Sequence, residues 1–241
     1  MIKKNSLKEK LKNNKNVILA VDTATSVASV AVFENGKTLK ADKIDAGRTH
    51  SESLMPAIQD ILKDVGKEIG EVDVFAVSEG PGSFTGLRIG VVAMKALAFG
   101  NRKRVALVPT LDAMAYGVGV IIGSGVICPM LDARNSQVYT AIYNMKGART
   151  SEYMGIPVEE LCDILKEGKK KVYITGELVE GNREILEKNG VDFEFIPEVK
   201  VRAKAVGKIA SSMDIKKDLK KPEDANPYYL RQSQAERMKN G

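Results

Sequence analysis

The sequence predicts an α/β fold assembled from two copies of one β-β-β-α-β-α unit. Ala20-Val21-Asp22-Thr23-Ala24-Thr25-Ser26 with the run 28–33 is matched by Met130-Leu131-Asp132-Ala133-Arg134-Asn135-Ser136 with the run 138–143. Each time an apolar strand ends in Asp, turns tightly and returns, which is the mark of an internal duplication. Between them an apolar run over 72–77 leads through Gly80-Pro81-Gly82-Ser83-Phe84-Thr85-Gly86 into a helical run over 87–99. At 241 residues and 44% apolar, the chain is long enough to bury two such cores.

Residues 17–21 form the first strand. Residues 27–33 alternate as a half-buried second strand, Glu34-Asn35-Gly36-Lys37 is a hairpin turn, and 39–44 pairs as a third. Leu54, Met55, Ile58, Ile61, Leu62 and Val65 share one helical face. Thr49 and Glu52 have capping-box spacing, whereas Pro56 implies a kink or a start nearer Ser53. In the second half, 159–165 and 178–188 read as helices, 171–175 as a strand closed by Gly176, and 203–213 as a last helix. From Lys216 the chain reads as a tail, with Asn226-Pro227-Tyr228-Tyr229-Leu230-Arg231 an aromatic-basic patch in a stretch expected to lack order.

The net charge of +6 sits at the ends: +5 over 1–16, +6 over 199–241 and −5 over the body between. A basic pI therefore does not make the body a nucleic-acid binder. The first tract reads as a solvated tail, or more sharply as a basic arm on RNA phosphates. Cys128 and Cys162 have no metal-ligand spacing, and no apolar run is long enough for a membrane span. With no signal peptide evident, a cytoplasmic location is expected.

His50 is the only histidine, which excludes a two-histidine zinc site and favours a polar residue at a helix start over a catalytic base. Ser78 and Ser83 flank the glycine loop with no acid–base partner evident, so a peptidase lacks its nucleophile pair. Phosphate-handling turns of duplicated nucleotide-binding folds follow the Asp with glycine. Here the first turn is Asp22-Thr23-Ala24-Thr25, without the glycine, and the second is Asp132-Ala133-Arg134-Asn135. Arg134 fills the cleft, meets an anion, or pairs with Asp132 or Asp22. The cleft formed by Asp22, Thr23, Thr25, Asp132 and Arg134 is thus expected to be degraded for ATP. The small residues Gly86, Gly90, Ala93, Ala96 and Gly100 suit close helix packing, against the core or against a partner.

Ile18-Leu19-Ala20-Val21-Asp22-Thr23-Ala24-Thr25, His50-Ser51-Glu52-Ser53-Leu54-Met55-Pro56 and the whole of Gly80 through Gly90 closely resemble the TsaB (YeaZ) family. Pro129-Met130-Leu131-Asp132-Ala133-Arg134 and Pro227-Tyr228-Tyr229-Leu230-Arg231 fit as well, over about 17–235 in all. The resemblance implies an ASKHA (actin/Hsp70-like) fold of two RNase H-like halves, 17–109 and 110–202. The helix 203–213 then returns to the first half, with 1–16 an extension and 216–241 a basic tail. It implies a non-catalytic paralogue of TsaD, serving threonylcarbamoyl transfer to the adenosine 3′ of the tRNA anticodon. Implied partners are a TsaD-like catalytic subunit, a TsaE-like ATPase, a second copy when alone, and tRNA through the basic ends.

In TsaD a metal is held partly by a histidine pair; here Thr110 and Met114 occupy those positions, so that chemistry does not carry over. No metal or cofactor is expected, with ATP or ADP at a subunit boundary left open. The family's contact helices correspond by position to 51–65 and 86–99, giving Leu54, Met55, Ile58, Leu62, Gly86, Arg88, Gly90 and Met94 as candidate interface residues. The competing reading is an independent ASKHA-type ATPase or kinase.

Overall fold

The computed structural model describes residues 16–44, 49–119, 124–177, 179–197 and 202–231. The extension expected at 1–16 and the end of the tail beyond Arg231 lie almost wholly outside them.

The first sheet contains β1 (Val17–Asp22), β2 (Ser29–Glu34), β3 (Lys37–Lys43), β4 (Val74–Gly80) and β5 (Arg104–Pro109), in the order β3-β2-β1-β4-β5. β1 pairs antiparallel with β2 and parallel with β4. Every β1 residue is buried, as a strand covered on both faces requires. Asn35 (φ 53°) and Gly36 (φ 74°) turn β2 into β3 with two left-handed residues, the hairpin geometry that Asn-Gly favours.

The second sheet repeats the plan. β6 (Val126–Asp132), β7 (Gln137–Thr140), β9 (Met154–Pro157), β10 (Val172–Thr175) and β11 (Phe193–Phe195) lie in the order β11-β10-β6-β7-β9, and the short β8 (Tyr143–Asn144) also pairs with β6. In each half a central strand has two antiparallel neighbours on one side and two parallel neighbours on the other. The fold is therefore α/β of the ASKHA kind, with two RNase H-like halves.

Helices α1 (His50–Asp64) and α2 (Phe84–Gly100) cover one face of the first sheet, where Leu54, Ile58, Leu62, Val91 and Met94 meet Leu19, Val32 and Phe75. On the other face α6 (Ala203–Ala210) packs Ala203, Val206 and Ala210 against Ile18, Ala31 and Phe33. α6 lies so close to β2 that a Cβ at Gly207 would overlap the Phe33 ring. In the second half α4 (Val158–Glu167) and α5 (Val179–Lys188) share one core with β6 and β10. α3 (Thr110–Gly119) supplies Leu111, Met114 and Val118 to the other.

Several elements differ from expectation. α1 runs unbroken through Pro56, whose missing N–H frees only a carbonyl near the exposed helix start. The Thr49–Glu52 capping box, by contrast, forms as expected, with the Thr49 N–H and hydroxyl both donating to Glu52 Oε2, at 3.1 and 2.7 Å. The last helix ends at Ala210, three residues early, in a turn over 211–213. The tail through Arg231 is packed on the body, with Lys220, Tyr228, Tyr229 and Arg231 all bonded to or stacked on it. Its residues are held by tertiary contacts, which local composition does not register.

Candidate functional site

A cleft of about 750 Å³ opens between the halves. The two Asp-ended turns face it, with the glycine loop forming one wall and residues 228–231 another. Ser26 donates to Glu177 Oε1 across it at 2.9 Å. His50, the first residue of α1, bonds through Nε2 to the Thr25 carbonyl at 2.9 Å, which ties the helix start to the first turn.

Asp22 is fully buried and both of its carboxylate oxygens are engaged. Oδ1 accepts from Arg202 NH1 at 3.0 Å and from the Ala24 N–H at 3.3 Å, and Oδ2 accepts from the Ser78 hydroxyl. The same guanidinium reaches Thr25 Oγ1 at 3.2 and 3.3 Å. A carboxylate neutralised by a buried guanidinium has little left to offer a metal ion or its water ligands. Thr23 also turns inward, donating to the Gly86 carbonyl at 2.7 Å. Asp132 and Arg134 stay at the rim. Asp132 accepts from the Arg134 N–H at 2.7 Å and pairs with its guanidinium at 3.5 Å. Of the partners open to Arg134, the structure selects Asp132; Asp22 belongs to Arg202. Arg202 escaped sequence reading because it lies 180 positions from Asp22 in no motif.

The glycine loop is spent on packing. Cβ atoms at Gly82 and Gly86 would overlap the carbonyl oxygens of Ala24 and Thr23, and one at Gly90 the Thr23 hydroxyl. The Ser83 N–H donates to Ala24 O at 2.7 Å, and the Gly86 N–H to Ser83 Oγ at 3.2 Å, which caps α2. Two of the amides that a phosphate cradle would use are thereby satisfied within the chain.

The tail straps the halves together. The Tyr228 N–H donates to Glu79 O at 2.7 Å, and Gly80 leaves room for the Tyr228 carbonyl, which a Cβ would overlap. Tyr229 stacks on Phe84 with ring centroids 4.5 Å apart and accepts from Arg88 Nε at 3.0 Å. Arg231 then crosses to the second half and donates to Gln137 Oε1 and the Ala133 carbonyl.

Beside the strap, Asp112 Oδ1 accepts from Tyr143 and Tyr153 at 2.6 and 2.8 Å. Burial raises the Glu79 carboxyl from 4.5 to about 7, opposed by Lys220 and reinforced by Asp112. Below about pH 4.5 folded and unfolded chains are both protonated at Glu79 and nothing differs. As pH rises to about 7 the unfolded chain ionises first, so this group withdraws about 3 kcal/mol of stability across that window and no more above it. Glu79→Gln is therefore expected to match wild type near pH 4 and exceed it by about 3 kcal/mol near pH 8, as urea unfolding at the two pH values will show.

The candidate interface residues divide. Leu54, Ile58, Leu62, Met94, Gly86 and Gly90 are buried in the chain's own core and present no surface. Apolar periodicity located the packed face of each helix, and that face meets the sheet. Met55 and Arg88 are exposed. The outer surface of α2 also carries Val92, 59% exposed, and, at its end, Phe99 at 72%; neither was singled out from the sequence as a contact residue. Thr110 and Met114 are buried on α3, and among the described residues no three His, Cys, Asp or Glu side chains converge as a metal site. Nor, among those residues, is any helix long and apolar enough to cross a membrane.

Residues 44–235 match the family model of TsaD, tRNA N6-adenosine threonylcarbamoyltransferase. The tRNA threonylcarbamoyladenosine biosynthesis protein TsaB of Escherichia coli K12 is 39% identical over 126 residues, 52% of this chain and 54% of that protein. TsaB of Bacillus subtilis is 28% identical over 173 residues, covering 70% and 75%. The chain thus spans about half the length of its Escherichia coli relative. A Pseudomonas aeruginosa crystal structure, described as an uncharacterized protein with similarity to peptidase YeaZ, superposes with a TM-score of 0.76 at 25% identity, covering 90% of this chain and all of that one. With the family model matched over 44–235 and TsaB relatives and a YeaZ-like structure beside it, the chain belongs to the TsaB (YeaZ) family of tRNA threonylcarbamoyladenosine biosynthesis proteins, within the wider TsaD family.

Proposed function

We propose that this chain is a scaffold or activating subunit, without chemistry of its own, that binds a TsaD-like catalytic protein for threonylcarbamoyl transfer to the adenosine 3′ of the tRNA anticodon. The outer face of α2 carries the reading. Val92 stands 59% exposed between half-buried Ile89 and Ala93, with Met55 38% exposed on the neighbouring α1. Apolar side chains lined along a helix pair suit helix-on-helix docking. The same face serves a second copy when the chain is alone. A TsaE-like ATPase joins the pair, and any ATP or ADP sits at a subunit boundary, since Asp22 is committed to Arg202.

Mixing with a TsaD-like protein is expected to give a heterodimer by light scattering. Val92→Glu, on the surface, is expected to leave the fold intact and weaken association about 100-fold or more, because burying an unpaired carboxylate costs several kcal/mol. A heterodimer that forms equally well with Val92→Glu and with Met55→Glu overturns the assignment of this face.

A further inference from the structure

Two basic runs far apart in the sequence, Arg102-Lys103-Arg104 and the lysine-rich 216–221, lie side by side in the fold. One backbone bridge joins them: the Val105 N–H donates to Lys220 O at 3.0 Å and the Lys220 N–H to Val105 O at 2.8 Å. Next to the bridge is a groove of about 550 Å³, apart from the cleft between the halves. Arg102, Lys103, Arg104 and Lys221 line it against the single carboxylate of Glu223. Lys103 is held by Asp73 at 2.9 Å, and Arg104 reaches the Leu219 carbonyl at 3.5 Å. Arg102 and Lys221 are exposed and have no ion pair among the described residues. Phe99, the most exposed large apolar side chain among them, lines the same groove.

We infer that this groove binds single-stranded RNA, with phosphates on Arg102 and Lys221 and an unstacked base on Phe99. Unpaired cations facing a groove attract a polyanion, and an exposed aromatic ring among them offers a platform that stacks any base without reading its sequence. A duplex does not present such a base, whereas a single strand offers a phosphate and a planar base together in every nucleotide, matching cations set beside one ring. The choice of RNA rests on the proposed role in tRNA modification.

The test is fluorescence anisotropy of the full chain with a short fluorescein-labelled single-stranded RNA over a series of KCl concentrations. The double variant Arg102→Ala/Lys221→Ala is expected to flatten the slope of log K against log salt by about 1.4, or about 0.7 per lost phosphate contact. Phe99→Ala is expected to weaken binding about five-fold or more with the slope unchanged. All three substitutions are on the surface, and circular dichroism checks the fold. An unchanged slope in the double variant, or groove-dependent binding to anionic vesicles but not RNA, overturns the inference. Heterodimer formation with the TsaD-like protein is scored on the same variants. If it persists while the RNA result fails, the groove is rejected and the scaffold role stands; if RNA binds through the groove but no heterodimer forms, the scaffold role fails alone.

Discussion

Arg202→Met is expected to cost about 3–5 kcal/mol of folding stability, measured by urea unfolding near neutral pH. The Arg202 side chain is 6% exposed and meets an Asp22 side chain with no exposure at all. Removing it strands a buried anion whose remaining donors, Ser78 and the Ala24 N–H, are neutral. Asp22→Asn combined with Arg202→Met removes both charges at once and is expected to recover most of the loss, since the penalty lies in the unpaired charge and not in the missing contact. A single variant as stable as wild type would mean that Asp22 finds another partner or leaves its pocket.

Gly86→Ala is expected to lower Tm by about 4–12 °C, the range for about 2–3 kcal/mol of overpacking in a chain of this size. Its Cβ would enter the Thr23 carbonyl oxygen, which belongs to the β1–β2 turn and has no rotamer by which to move aside. The Thr23 hydroxyl, now bonded to the Gly86 carbonyl at 2.7 Å, is also pushed out of reach. Gly181→Ala is the control. A Cβ added at Gly181, in the first turn of α5, would meet no other part of the chain within 4 Å, and alanine in place of glycine in a helix is expected to stabilise the chain slightly.

The parts of the fold legible in the sequence are those governed by local rules. The Asn35-Gly36 hairpin, the apolar run 17–21 of β1 and the two Asp-ended turns each depend on residues a few positions apart, and both sheets follow the duplicated order. The packed faces of α1 and α2 were equally legible, but periodicity gives a face without saying what covers it. Leu54 and Met94 therefore looked available to a partner while the sheet already held them. α3 was missed because Gly117 and Gly119 depress helix propensity in a segment whose order comes from tertiary burial of Leu111 and Met114. At the cleft, Asp22 was visible as a chemical group and Arg202 was not. An ion pair between residues so distant is a product of the finished fold and leaves no trace in spacing.

The placement of α6 and the strap carries a consequence for how the chain is made. Ala203, Val206, Ala210 and Leu219 complete the core of the half whose strands are synthesised first, and Tyr228 and Tyr229 close over its glycine loop. On a ribosome, that half emerges early yet cannot finish until the chain through Tyr229 has left the exit tunnel. The second half has its strands and helices contiguous between Thr110 and Phe195, and among the described residues it lacks no later segment of comparable size. The order of birth and the order of completion are thus reversed, and the half translated first waits with one face of its sheet uncovered.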